Sequence, residues 1–248
     1  MSSNFFNPDF LNPDHFAVFI KPSKLVKSII KENHYSHQMP ASPWYCFGVY
    51  QNGGGLIGAL VYGEPVKPRL HESISPLLKH GELMELLRVW IKDGPQLFNI
   101  ESWAIGQTFR LLRQCAPQVK MLVSYSDPYE RHEGKIYRAT NWWYQNTDDG
   151  SSPGSFSVSF NKSPRKHRND WIHSRTLFRR YGTSNPKRVA QMCGHPIMVK
   201  PDSRKYRYVY FLCGYSEEKR LKKSLYIPAT KEYPSQSREC PEIQVVSE

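Results

Sequence analysis

The chain has 248 residues, of which 39% are hydrophobic and 13% aromatic; that is enough to bury a core and excludes wholesale disorder. The net charge of +12 is unevenly placed: residues 161–227 hold 17 Lys/Arg against 4 Asp/Glu, a net of +13, while residues 1–160 hold 15 against 14. Such segregation favours a polyanionic partner over a uniformly basic surface.

No apolar run reaches the length of a membrane span, and residues 1–20 lack the basic start and cleavage pattern of a signal peptide. The five cysteines, at 46, 115, 193, 213 and 240, are odd in number and show no CxxC spacing. A disulfide framework and a structural zinc site are therefore not expected, and a reducing cytoplasm fits.

The opening FFNPDFLNPDHF carries two NPD turns and reads as a short irregular arm. Ser23 is placed to cap a helix running to about Asn33, with Leu25, Val26, Ile29 and Ile30 on its inner face. A polar loop, HYSHQMPASPW, follows. YCFGVYQ and LIGALVY flank NGGG and read as a β-hairpin. LMELLRVWIK fits helix or strand by period, and Val89-Trp90-Ile91 decide for strand. Asn99 then caps a helix, IESWAIGQTFRLLRQ, with Ile105, Phe109 and Leu112 inward. VKMLVSY is a strand, a helix follows at about 134–143, and SFSVSF alternates as a strand. This order predicts α/β layering, with a mixed central sheet flanked by helices.

In the basic region, Asp170 and Asn185-Pro186 read as the starts of two short helices, ended by Gly182 and Gly194. RKYRYVYFL alternates as a strand with Arg207, Val209 and Phe211 on one side, and the final SQSRECPEIQVVSE reads as frayed. The expected division is a catalytic core over 1–160, a basic DNA-binding extension over 161–234 and a flexible tail over 235–248. Arg175, Arg179 and Arg180 on one helix, with Lys187-Arg188 opening the next, are the candidate phosphate-binding groups.

Several ordered motifs resemble a known family: NHYS at 33–36, ELLRVWI at 85–91, SYSDPYERHEGKIYRATNWWY at 124–144, then RKYRYVYFL with a lysine-rich turn and EYP. Over roughly 23–234 the chain is similar to the phage Mom family, the Mu-type DNA adenine-modification proteins built on the GCN5-related N-acetyltransferase (GNAT) fold. That resemblance implies a hairpin leading to a central strand, a helix whose N-terminus meets coenzyme A, and a second strand splayed from the first. It also implies transfer of a small acyl-derived group to the exocyclic amine of adenine in double-stranded DNA, protecting phage DNA from restriction. Coenzyme A-binding members carry a Q/R-x-x-G-x-G/A loop before that helix. Here the position reads KDGPQLFNIESWAIG, without the paired glycines, so an aminoacyl or glycine-derived donor stands beside acetyl-CoA.

The chemistry assigns roles to residues. An exocyclic amine is a poor nucleophile, so an acceptor must take its proton as the bond forms, and its base must leave the duplex stack. Asp127, at a strand's end before Pro128, suits the first task and Tyr129 stacking on the base; an Asx turn is the other reading of Asp127. Ser124, Tyr125 and Ser126 can hydrogen-bond donor or base, and His132 and His34 are candidate acid–base groups. Tyr35 and Arg88 fall to the substrate, Asn99 and Ser102 at the helix start to the cofactor. The resemblance further implies that Tyr137 protonates a leaving thiolate, with Tyr144 also suitably placed. His34 and His37, joined by Asp127 or His132, could make a two-histidine-plus-carboxylate metal site, though nothing in their spacing demands one, and the resemblance implies iron as the metal to consider. Two other readings stay open: an S-adenosylmethionine-dependent adenine methyltransferase, prompted by DPYE, and a non-catalytic DNA-binding protein on the same fold.

Overall fold

The computed structural model describes residues 15–34, 36–94, 99–128, 134–146, 155–161, 164, 170–202, 205–234 and 242–247. Along the chain these give β1 (Phe16–Lys21), α1 (Ser23–Asn33), β2 (Pro43–Gln51), β3 (Leu56–Gly63), α2 (Leu70–Ile74), β4 (Leu83–Ile91), α3 (Ile100–Cys115) and β5 (Met121–Ser126). There follow α4 (Lys135–Ala139), β6 (Trp143–Gln145), β7 (Phe156–Ser159), β8 (Ile172–His173), α5 (Ser174–Tyr181) and α6 (Pro186–Cys193). The last elements are β9 (Ile197–Pro201), β10 (Tyr206–Phe211), α7 (Tyr215–Ser224) and β11 (Gln244–Val246).

Two compact units result. The first comprises the described residues up to Tyr125, with Gly134–Asn146 and Arg207–Tyr233; the remaining described residues form the second. These units cut the chain differently from the expected break at 160/161. β10 and α7 lie in the basic stretch of sequence, yet they belong to the first unit because β10 is buried on both sides. Val209 and Phe211 enter the core with Leu83, Met121 and Val123, and Leu221 of α7 joins them.

The first unit's sheet has the order β1-β2-β3-β4-β5-β10-β6. β2 and β3 form the expected hairpin around the NGGG turn. With NGGG in a hairpin turn, the glycine turn that a methyltransferase needs after its first strand is not supplied there. β4 runs antiparallel to β3 but parallel to β5, and the β4–β5 pairing covers only Leu83–Glu85 against Met121–Val123. Beyond Glu85 the two strands part, while β4 stays paired with β3 as far as Ile91. α1 packs Val26 and Ile30 on Cys46, Ala59 and Val61.

In the second unit four strands take the order β11-β9-β7-β8, and α5 and α6 cover Val158 and Ile197 with Leu177, Val189 and Ala190. Asp202 accepts from the Ser157 hydroxyl at 2.6 Å and lies 3.4 Å from His173 Nε2, tying β7, β8 and the end of β9 together.

Several expectations are corrected. Ser23 is the first residue of α1, not its cap, and Leu25 is exposed while Val26 and Ile30 are buried. Asn99 holds the N-cap position of α3 in a left-handed conformation, φ 63°, without a side-chain cap bond. The helix expected at 134–143 stops at Ala139. Thr140 turns its hydroxyl back onto the Ile136 carbonyl (2.6 Å), Asn141 takes φ 61°, and Trp143–Gln145 continue as a strand. Asp170 does not open α5; His173 does, accepting from the Arg175 N–H. The tail expected to fray over 235–248 contains a strand, Gln244–Val246, paired with Ile197–Val199. Asn185 caps α6 through the Lys187 and Arg188 N–H groups, and Gly182 and Gly194 end the two helices with positive φ, as expected.

Candidate active site

The point where β4 and β5 separate is built from residues on both strands. One residue past the last paired position, Ser124 donates its hydroxyl proton to the Leu86 carbonyl at 2.9 Å, so a side chain takes over where the backbone ladder stops. The Tyr137 hydroxyl lies 2.7 Å from Ser124 Oγ. The Tyr137 hydroxyl also donates towards the Tyr125 carbonyl at 3.4 Å, so its one proton faces both Ser124 Oγ and that carbonyl. Both side chains are buried.

Two aromatic rings hold Tyr137. Tyr208 of β10 stacks on its ring at 4.6 Å and 22°, and Trp142 meets it edge-on at 5.3 Å. Gly134, at φ 74°, begins the turn of α4, and a Cβ there would collide with the Tyr208 hydroxyl. Trp142 is fully buried, as core packing requires. Two ammonium groups contact the Trp143 ring, Lys222 Nζ at 3.6 Å and Lys231 Nζ at 4.4 Å from its centre. Lys231 also donates to the Asn141 and Trp142 carbonyls, so the lysine and EYP motifs act here as a strap over α4 and β6. Tyr144 pairs through its backbone with Thr230 in that strap and tilts against Tyr208 at 5.7 Å.

On the other face of the sheet, Tyr125 is half-buried beside Arg207 and Glu85. Burial pushes its hydroxyl up to about 12, the Glu85 charge adds to the shift, and a hydrogen bond from Arg207 opposes it. Arg207 is only 6% exposed, and burial holds its guanidinium below the usual arginine range. Its Nε and Nη2 are buried without a hydrogen-bond partner among the described residues, and so is Oε1 of Gln145, its partner across the β10–β6 ladder. Sequence reading missed this pair as a site feature, although the alternation of RKYRYVYFL already placed Arg207 on the inner face with Val209 and Phe211.

Arg88 and His34 are organised around one loop. His34 ends α1 and is buried; its Nδ1 accepts from the Ser36 backbone N–H at 3.1 Å, so a neutral ring carries its proton on Nε2. Arg88 Nε donates to the Gln38 carbonyl at 3.1 Å and Nη1 to the Leu87 carbonyl at 2.6 Å, fastening this loop to the free half of β4. Glu85 accepts from the Val66 N–H. His37 is exposed and hydrogen-bonds the Lys31 carbonyl through Nδ1. Among the described residues no three His, Cys, Asp or Glu side chains converge as a metal site. His132, one of the ligands considered for iron, lies outside the described residues, as do Tyr35 and Tyr129.

Ser126 is buried at the end of β5, and Asp127 follows it half-buried. At the start of α3 the Ser102 hydroxyl donates to the Asn99 carbonyl at 2.9 Å. The Asn99 side chain makes no cap bond to the first turn of α3. Arg175, Arg179, Arg180, Lys187 and Arg188 lie on α5 and α6, in the second unit. Arg175, Arg179, Arg180 and Arg188 are exposed there, and Lys187 lines a groove beside them.

Hairpin, central strand, helix and a parallel strand that splays from the first is the layout of a GNAT-type acyltransferase, and the hydroxyl pair lies where those strands separate. The chain belongs to the Mom protein family, whose model matches residues 15–235. Over 118 residues it is 29% identical to the methylcarbamoylase Mom of Escherichia phage Mu; this match spans 48% of the chain and 48%, about half, of that relative. Solved structures similar to it include an IAA acetyltransferase from Bacillus cereus, at 10% identity and a TM-score of 0.41, covering 79% of this chain and 99% of that one. Another is the ribosomal-protein-S18-alanine N-acetyltransferase of Escherichia coli, at 8% identity and a TM-score of 0.40, covering 81% and 96%.

Proposed function

We propose that the chain is a DNA-modifying transferase that places a small acyl-derived group, of carbamoylmethyl or acetamido type, on the exocyclic amine of adenine. The observation that carries this reading is the buried Tyr137–Ser124–Leu86 chain at the parting of β4 and β5, in a chain of the Mom family. The partner is double-stranded DNA, and the consequence is protection of phage DNA from restriction.

In this reading Asp127 accepts the proton that the amine loses as its bond to carbon forms, and Tyr137 gives a proton to the group that leaves. Ser124 holds the Tyr137 hydroxyl in place. Arg88 fixes the loop carrying His34 against β4, which supports a positioning role for both. Acetyl-CoA, or an aminoacyl or glycine-derived donor, would supply the activated carbon. A phosphate of that donor is assigned to the first turn of α3, where the Asn99 side chain makes no cap bond. Glu101 in the same turn opposes one.

The test is resistance to restriction. DNA from cells making the protein should resist enzymes whose sites contain adenine, and Asp127→Ala should abolish that resistance while leaving DNA affinity unchanged. Resistance that survives Asp127→Ala removes Asp127 from the chemistry. Absence of resistance with the wild-type protein favours the non-catalytic DNA-binding reading instead.

A further inference from the structure

We infer that the second unit carries a nucleotide groove in which Phe178 stacks on an unpaired base of a DNA strand. Phe178 lies on α5 but contributes little to the core: it is 60% exposed, while Leu177 beside it is fully buried. A ring left in water gives up most of its hydrophobic stabilisation, so its exposure asks for a reason. Helical spacing supplies the context. Arg175 lies about one turn from both Phe178 (about 60° to one side round the helix) and Arg179 (about 40° to the other), whereas Arg180 turns away from that face. The exposed face thus sets an aromatic ring beside the Arg175 guanidinium, with Arg179 beyond it.

Beside the ring runs a groove of about 630 Å³. Phe178, Phe156, Pro186 and Val246 give it apolar walls, and Thr183 and Lys187 supply polar groups. No carboxylate lines it among the described residues. A flat heteroaromatic ring bearing a phosphate matches these features: a face to lie on Phe178, cations for its charge, and no negative side chain to repel it. A duplex matches less well, because its bases are already stacked on one another and offer no free face.

This inference rests on the reading that the second unit holds DNA, and the experiment keeps the two apart. The full-length protein is titrated into a fluorescein-labelled oligothymidylate and, separately, a duplex of equal length. Phe178→Ala should lower affinity for the single strand about tenfold, the effect of losing one stacked base, with little change in salt slope or duplex affinity. Phe178→Trp should retain that affinity, and its indole fluorescence should be quenched by the oligomer. If Phe178→Ala leaves single-strand binding unchanged while Arg179→Ala and Lys187→Ala weaken it, the groove assignment is overturned and the DNA reading of the unit stands. If all three variants bind as the wild type does, both fall. A change in self-association alone with Phe178→Ala would mean that the groove holds a protein segment, and would also overturn the inference.

Discussion

A buried phenol is tolerated only where its hydroxyl finds a partner, and for Tyr137 that partner is Ser124. Tyr137→Phe removes the phenol hydroxyl but leaves Ser124 bonded to the Leu86 carbonyl, so folding stability should fall by only about 1 kcal/mol in urea unfolding. A loss of DNA modification far larger than that would assign the hydroxyl to the reaction; unchanged modification would make it a packing group. Tyr125 tests the opposite face through pH. Its folded value is raised from 10.0 to about 12, mainly by burial. The neutral hydroxyl therefore stabilises the fold fully below pH 10, and this contribution is lost as pH rises towards about 12. Tyr125→Phe should lose less stability over that interval, measured by denaturant midpoints at several pH values. Ser124 and Tyr137 stood out in the sequence because a strand fed a polar loop. Arg207 and Gln145 did not, since only the folded ladder shows that their polar atoms are buried.

The elements with a clean pattern were legible: the β2–β3 hairpin, α3, β5 and β10 fall where alternation, turn residues or helical spacing put them, and β4 falls where its β-branched and aromatic residues put it. β1 lacks that alternation, with two exposed residues, Phe19 and Ile20, adjacent in it, and its exposure comes from lying at the sheet's edge. α2 and α4 have five residues each, too short for a helical period to register. β11 is a three-residue strand that exists because β9 offers it an edge. Tertiary pairing settles such segments, and sequence alone does not carry it. Gly134 shows how closely α4 must approach β10. Gly134→Ala should cost more than Gly53→Ala, by about 1–3 kcal/mol in thermal or urea unfolding. Both glycines have positive φ, 74° and 71°, but a Cβ at Gly53 meets nothing within 4 Å, and one at Gly134 meets Tyr208. Equal costs would mean that Tyr208 has room to move.

At the scale of the whole molecule, the basic sequence and the separate structural unit do not coincide. Composition drew the eye to residues 161–227, net +13, yet β10 and α7 within that stretch complete the first unit's sheet. Shortening the chain after Lys162 would therefore remove an interior strand, β10, along with the cations, and charge substitutions on α5 and α6 are the cleaner probe. Replacing Arg175, Arg179 and Lys187 together should reduce the slope of log affinity against log salt by up to about 2.7, roughly 0.9 for each phosphate no longer neutralised. An unchanged slope would place DNA on another surface. The chemistry itself is reached most directly by digesting DNA from cells that make the protein and weighing the nucleosides. A fraction of deoxyadenosine should be heavier by a carbamoylmethyl- or acetamido-type group, and Asp127→Ala should return it to its ordinary mass. Unaltered deoxyadenosine, with the protein abundant and folded, would contradict adenine transfer; an increase of one methyl group would point to the methyltransferase reading.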